Sequence, residues 1–290
     1  MNWACIFALL LPATHSFLVP IRWSMAPSHT QWRIPSASRK AVSMMGEAMD
    51  EEKQRKLREM LSKQFGQGGS NAPSADEWCN STDQVKSGTV LVSDPGQFYT
   101  RGSSSLERFG LPEPIPRELP GDRQCDLLPV VLLVEHNDDG SMGIMVNRRT
   151  GMLMGDLGDE MSTFMIQPIW LGGTTGTQGL CYVHTYPQIT GAMQLTQDGL
   201  YFGGEFESAV RVVSEGVGSS AQFRFMLNFN TWGPGELEKE IAAGQWHQAE
   251  CGKMSILKPR DRRGPDVAKP MWLDLMTMLG KEDIIDQVMK

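Results

Sequence analysis

The chain has 290 residues, with 27 Lys and Arg against 34 Asp and Glu, a formal net charge of −7, and 40% hydrophobic residues. An acidic balance opposes general affinity for a phosphate backbone, which needs clustered cations to displace condensed counterions, so direct nucleic-acid binding is not expected. Cys79, Cys125, Cys181 and Cys251 are far apart in sequence and contain no Cys-x-x-Cys pair; they read as neither a zinc site nor a disulfide framework, but as inert thiols, with a regulatory pair as the alternative.

Taken in chain order, Ala4 to Leu11 is an apolar run too short to span a bilayer and of the length of a signal-peptide core. Phe17 to Gly46 contains no acid, while Arg22, Arg33, Arg39 and Lys40 sit among serines and threonines, as in transit peptides. The two in series, with Phe17 directly after Thr14-His15-Ser16, resemble the bipartite presequences of algae whose plastid is reached through the secretory pathway. The alternative is a tail or a buried core segment. The expected organisation is a signal plus transit peptide over 1–46, an amphipathic helix and linker over 47–87, and a folded domain over 88–290. The mature form is expected to be soluble in the plastid, without a membrane anchor. Removing 1–46 leaves 23 basic residues against 34 acidic ones, a net charge of −11.

Leu57, Met60, Leu61 and Phe65 fall at helical spacing among alternating charges, and Gln67 to Ser87 has linker composition. Val90-Leu91-Val92 predicts a strand, and the Gly-, Ser- and Pro-bearing stretch Asp94 to Pro120 predicts a long surface loop. Val130 to Val134 and Met142 to Val146 flank Asn137-Asp138-Asp139-Gly140 and predict a β-hairpin with a polar tip. Further strands are expected at Pro168 to Leu171, Leu180 to His184, Leu200 to Phe202, Gln222 to Phe229, Gln245 to Glu250 and Met254 to Leu257. Helices are expected at Glu205 to Ser214, Gly235 to Ala243 and Lys269 to Leu279. Adjacent strands with inserted helices, without strict alternation, indicate an α+β fold.

Glu135-His136-Asn137, Gly140 to Gly143 and Asn147-Arg148 together resemble the hairpin signature of the AlgH-like family. Trp170-Leu171-Gly172-Gly173 is similar to its central Gly-Gly turn, Tyr182-Val183-His184 to its next strand, and Trp232-Gly233-Pro234-Gly235-Glu236-Leu237-Glu238 to its helix-opening motif. The resemblance spans roughly Val90 to Leu279. It implies a bent, branched, mainly antiparallel sheet forming a pseudo-barrel flanked by helices, and no established enzyme activity. Family members are often labelled transcriptional regulators, but neither a helix-turn-helix pattern nor a basic stripe supports DNA reading here. The sequence departs from the family pattern where Arg149 and Thr174 replace prolines. It departs again where Asn228-Phe229-Asn230-Thr231 replaces Gly-Tyr-Ala-Gly. These departures point to a divergent eukaryotic branch, and with the presequence the expectation is a plastid-targeted algal member.

The motifs carry little catalytic signal. Glu135-x-Asn137-x-Asp139-Gly140 begins like a calcium loop, but Val146 stands where a bidentate Glu is needed. Gly172 to Gly179 lacks the Lys-Ser/Thr of a P-loop and reads as a turn between strands. Gly-x-Ser-x-Gly and His-Glu-x-x-His do not occur, and neither a metal nor a cofactor is expected. Proline and acids at the start of the 235–243 helix are explained by capping and the helix dipole, the alternative being that Trp232 and Glu236 form a pocket wall with Glu135 and Asn147. The run Lys258 to Arg263 reads as a solvated basic loop. Two functions follow. The first is a non-enzymatic binding or regulatory module using Glu135, His136, Asn137, Asn147, Arg148 and Trp232 to recognise an unknown protein or small molecule. The second is a small-molecule, hydrolase-like enzyme using His136 or His184 as acid/base with Glu135 orienting it.

Overall fold

A computed structural model describes residues 76–101, 103–260 and 268–290. The presequence and the amphipathic helix expected before residue 66 lie outside these residues. The described residues form, in chain order, β1 (Cys79–Ser81), β2 (Val90–Ser93), α1 (Ser104–Arg108), α2 (Gly121–Leu127), β3 (Val130–Asn137) and β4 (Gly140–Met145). Then come β5 (Arg149–Leu153), β6 (Pro168–Leu171), β7 (Thr175–His184), β8 (Met193–Gln194), β9 (Tyr201–Phe202) and α3 (Phe206–Ser214). Last are β10 (Phe223–Trp232), α4 (Glu236–Ala242), β11 (Trp246–Cys251), α5 (Lys253–Leu257), α6 (Met271–Met278) and α7 (Glu282–Met289).

The fold is α+β. Among the described residues, eleven strands join one sheet in the order β1-β11-β2-β3-β4-β10-β7-β9-β8, with β6 branching from β10 and carrying β5. The sheet is bent and branched, as the resemblance implies, and its two ends do not meet to close a barrel. The β6–β10 pair is parallel and the other pairs are antiparallel.

The branch point is a physical consequence of β10. Its first half pairs with β7 on one side and β6 on the other, whereas Asn230 to Trp232 pair with β4. The register shifts between Leu227 and Phe229, and Asn228 between them has φ 63°. Asn is one of the few side chains that tolerates the left-handed region. The Gly172-Gly173 turn crosses this bulge at close quarters. A Cβ on Gly172 would lie 2.3 Å from the Asn228 carbonyl oxygen, and one on Gly173 2.1 Å from that of Phe229. Only a chain without side chains can approach so closely. The Gly172 N–H donates to Leu227 (2.7 Å) and its carbonyl accepts from Met145 N–H (2.7 Å) and the Asn230 side chain (3.1 Å). The glycine pair is thus a turn that knots three strands together.

Two apolar cores flank β10. One gathers Val90 to Val92, Val130 to Val134, Ile144, Trp232, Trp246 and Trp272; the other is aromatic, with Phe164, Tyr182, Phe223 and Phe225. Successive strand residues face opposite sides, so Phe223 and Phe225 enter the aromatic core while Met226 enters the other. Met271, Trp272, Leu275 and Met276 recur at helical spacing and bury one face of α6, and the Trp272 indole donates to Ser93 O (2.8 Å).

Three expectations need correction. Met254 to Leu257 is helical (α5): the chain leaves β11 at Gly252 and makes a short helix whose Ser255, Ile256 and Leu257 are all buried, so burial nearly all round replaces the alternation of a strand. Asp94 to Pro120 is not a superficial loop: it contains a 3-10 turn and α1, and it plants Phe98, Leu106, Phe109 and Ile115 in the core. The segment read as a linker supplies β1, paired with β11.

Candidate functional site

The structure divides the surface expected from sequence into two places. Glu135, His136 and Asn137 lie at the outer end of β3, at the hairpin tip. Asn137 Oδ1 accepts from Asp139 N–H (2.9 Å) and its amide donates to Glu135 (2.8 Å), so the exposed tip is held by its own side chains. His136 is partly buried, with Nδ1 2.8 Å from Ser141 Oγ and Nε2 3.7 Å from Glu238 Oε1 on α4. A proton on Nε2 facing the carboxylate makes Nδ1 the acceptor of the Ser141 hydroxyl. These three groups have the composition of a serine triad, but the nitrogens are used in reversed order and Ser141 is 2% exposed, leaving a substrate no approach to Oγ. They hold α4 against the hairpin.

Trp232 and Glu236 stand near this tip but do not form a pocket wall with Asn147. Glu236 turns back to accept from Gly233 N–H (2.8 Å), closing the turn that leads into α4, and with Glu238 it places acid in the first helical turn, where it opposes the helix dipole. Trp232 is buried, and its indole donates to Glu240 Oε2 (2.9 Å), as does that of Trp246 (2.8 Å). The other Glu240 oxygen accepts from Arg108 (2.6 Å), whose guanidinium lies 5.3 Å from the centre of the Trp232 ring. One carboxylate therefore fastens α1, β10, α4 and β11. The sequence reading used Glu240 only for its charge near a helix start and missed this role.

His184 is fully buried. Its Nε2–H donates to Gly203 O (2.9 Å), its Nδ1 accepts from Tyr186 N–H (3.1 Å), and its ring stacks near Phe223 and Tyr201. Burial holds its pKa below the ordinary imidazole value, with the Gly203 hydrogen bond opposing. With both nitrogens engaged and the ring sealed from solvent, His184 is a structural residue, not an exchangeable acid/base.

Asn147 and Arg148 lie at the opposite end of β4. Asn147 accepts from Val130 N–H (2.9 Å) and donates to Leu128 O (2.7 Å), tying the segment after β4 to the start of β3. Arg148 donates to the carbonyls of Leu127 and Phe109, while its buried Nε has no hydrogen-bond partner. Both line a cavity of about 470 Å³ together with Arg123, Arg149, Arg224 and Arg260. Asp126 is the one acid among the described lining residues, and Leu127, Trp170, Pro270 and Met271 supply an apolar wall.

Packing explains this concentration of charge. Arg224 sits between Phe223 and Phe225 and, by strand alternation, points away from the aromatic core. It donates to Val146 O (2.6 Å) and Lys258 O (3.2 Å) and lies 4.4 Å from the centre of the Trp170 ring. Burial, with repulsion from Arg260, lowers its pKa to about 9. Burial likewise lowers Arg148 to about 10, opposed by Asp126. Arg260 is also pushed down by burial and is held from behind by Asp274 (3.0 Å). The solvated-loop reading fails for Arg260, which is 9% exposed. Sequence reasoning missed Arg224 and Arg260, although a lone arginine inside an otherwise aromatic strand was an available signal. Among the described residues, no group of three or more His, Cys, Asp or Glu could hold a metal ion, and no helix is long and apolar enough to cross a membrane.

Comparison with known proteins finds relatives in sequence. A UPF0301 protein of Cytophaga hutchinsonii is 30% identical over 196 residues, covering 67% of this chain and 89% of its own. A UPF0301 protein of Parabacteroides distasonis is 30% identical over 155 residues, covering 53% of this chain and 74% of its own. The solution structure of the AlgH protein from Pseudomonas aeruginosa aligns at 16% identity and a TM-score of 0.43, over 61% of this chain and 84% of that one. The AlgH-like family profile matches residues 129–283, from the start of β3 into α7. The chain belongs to the AlgH-like family.

Proposed function

We propose that this protein is a non-enzymatic binding module with a regulatory role, whose ligand is a small organic anion held in the arginine-lined cavity. The observation that carries this reading is Arg224, a buried guanidinium whose hydrogen bonds among the described residues go to main-chain carbonyls and not to a carboxylate. Burying an unpaired charge is costly, and an anion that completes the cavity repays that cost on binding. Arg148, which lines the same cavity, is also a buried guanidinium whose hydrogen bonds among the described residues go to main-chain carbonyls. Guanidinium forks suit carboxylate and phosphate oxygens, while Trp170 and Met271 give an organic body an apolar surface. The volume is within the usual range for small-molecule sites.

Calorimetric titration of the purified chain with inorganic phosphate, pyrophosphate and citrate is expected to give saturable binding by at least one probe, weakened at least tenfold in Arg148→Met. Equal binding by parent and variant, or none with all three probes, overturns the reading. The hydrolase-like alternative has less support, since His184 is sealed and the Ser141 hydroxyl beside His136 is buried. The proposed setting is a secondary plastid, supported by the composition of residues 1–46. A fluorescent fusion is expected to lose plastid import when those residues are deleted; import that survives the deletion overturns it.

A further inference from the structure

We propose that Cys79 and Cys251 form a redox-modification site, a cross-strand dithiol that closes to a disulfide by exchange with a low-molecular-weight disulfide of the glutathione type. The two are register partners in the β1–β11 pair. Gly252 N–H donates to Trp78 O (2.9 Å) and Thr82 N–H to Gln248 O (3.1 Å), so the hydrogen-bonded positions are 78/252 and 82/248. Alternation then makes 79/251 a non-hydrogen-bonded pair, the kind whose Cα atoms approach to about 4.5 Å, inside the range that disulfides span. The Cys251 thiol already donates to Cys79 Sγ at 3.1 Å, and about 1 Å of further approach makes the bond.

The register does not depend on the cysteines. Trp78 O accepts from Ser255 Oγ (3.0 Å), Glu77 pairs with Lys258 (2.7 Å), and a Cβ on Gly252 would meet Asp76 O at 2.2 Å. The segment before Cys79 is therefore fixed against Gly252, α5 and Lys258 on one side of the thiols, and the Thr82–Gln248 hydrogen bond holds the other side. Cys125 on α2 and Cys181 on β7 belong to other parts of the fold, and burial pushes the Cys181 thiol up to about 12.

The chemistry balances within the pair and its oxidant. β1 is a three-residue edge strand whose partner is β11, and Asn80 and Ser81 are exposed, so local opening presents Cys79 first. The Cys79 thiolate attacks the oxidant's disulfide, forming a mixed disulfide and releasing one thiol. The Cys251 thiolate then attacks Cys79 Sγ, and the second thiol of the oxidant leaves. Two protons and two electrons pass from the protein thiols to the oxidant, whose S–S bond becomes two S–H groups. Cys79 and burial hold the Cys251 thiol in its protonated form, with the Arg260 guanidinium opposing them, so closure follows opening of β1 and not attack within the closed pair.

The test equilibrates the full chain in glutathione buffers of graded oxidised-to-reduced ratio, followed by acid quench, alkylation of the denatured chain and peptide mass mapping. The expected result is a linked peptide joining Cys79 to Cys251 that rises with the ratio and reverses with reductant, while Cys125 and Cys181 remain alkylated. The linked peptide is expected to persist in Cys125→Ser and to vanish in Cys79→Ser, which keeps the β1 register contacts. Stable glutathione on Cys79 without the linked peptide, linkage to a different cysteine, or full alkylation of both thiols at every ratio overturns the proposal.

Discussion

Replacing Arg224 by methionine separates binding from stability. Arg224 is buried, and burial lowers its pKa from 12.5 to about 9. At about 1.4 kcal/mol per unit, holding it charged at pH 7 costs on the order of 5 kcal/mol. Against that stand two hydrogen bonds from a charged donor, about 1.5–3 kcal/mol each, and a cation–π contact with Trp170 of about 1–2 kcal/mol. The opposing terms nearly cancel, and methionine keeps the packing of the aliphatic stem while giving up the guanidinium that lies over the indole. Arg224→Met is therefore expected to leave stability within about 2 kcal/mol of the parent, as replacement of buried ionic groups by apolar ones often does. Its affinity for the phosphate, pyrophosphate or citrate probe falls at least tenfold. Urea unfolding followed by tryptophan fluorescence gives the first quantity and calorimetry the second. A loss above about 4 kcal/mol refutes the reasoning, because the arginine is then a structural clamp and not a charge held for a ligand.

Glu240→Ala strands two buried indole N–H groups and Arg108, so it is expected to cost about 3–5 kcal/mol in urea unfolding, and a cost below about 1 kcal/mol contradicts the four-element clasp. His184 has a folded pKa below its unfolded value, so the unfolded chain takes up a proton first as the pH drops. The stability it contributes is complete above the unfolded value near 6.5 and is lost as pH falls from there through the folded pKa; His184→Gln should flatten this part of the pH–stability curve, and an unchanged slope assigns it to other groups. Asn228→Gly removes both a left-handed Asn and a buried Oδ1 without a partner, and a gain of about 1 kcal/mol is expected, whereas Asn228→Val should lose about 2 kcal/mol or more. Equal midpoints for the two variants would remove the bulge geometry from the account.

The sequence revealed elements where local pattern and burial coincide. The hairpin at 130–146 shows because two apolar runs flank Asn137 to Gly140, and the α6 face because Trp272, Leu275 and Met276 recur at helical spacing. Met254 to Leu257 was misread because four residues with two apolar neighbours fit a strand or a single helical turn equally well, and tertiary burial decides. The cavity shows how a site escapes such reading. Asn147 and Arg148 were named for a motif, but their companions Arg224 and Arg260 come from distant elements and meet only through strand alternation and the packing of residues 258–260. His184 was legible as a family position, yet its role depends on Gly203 and Tyr186 filling both nitrogens, which no spacing in the chain encodes.

The shared strand β10 has a consequence for how the protein is made. Residues 223–232 pair with strands that begin at residues 140, 168 and 175, and β11 returns to pair with a strand at residue 90. A ribosome that has released only the first 220 residues has therefore produced the β3–β4 hairpin without the strand that joins the two cores. During that interval the inner edges of β4, β6 and β7 present unpaired main-chain groups, the form in which strands find wrong partners. Folding must wait for nearly the whole domain to be present, so the incomplete chain, more than the finished fold, is where this architecture is open to mispairing.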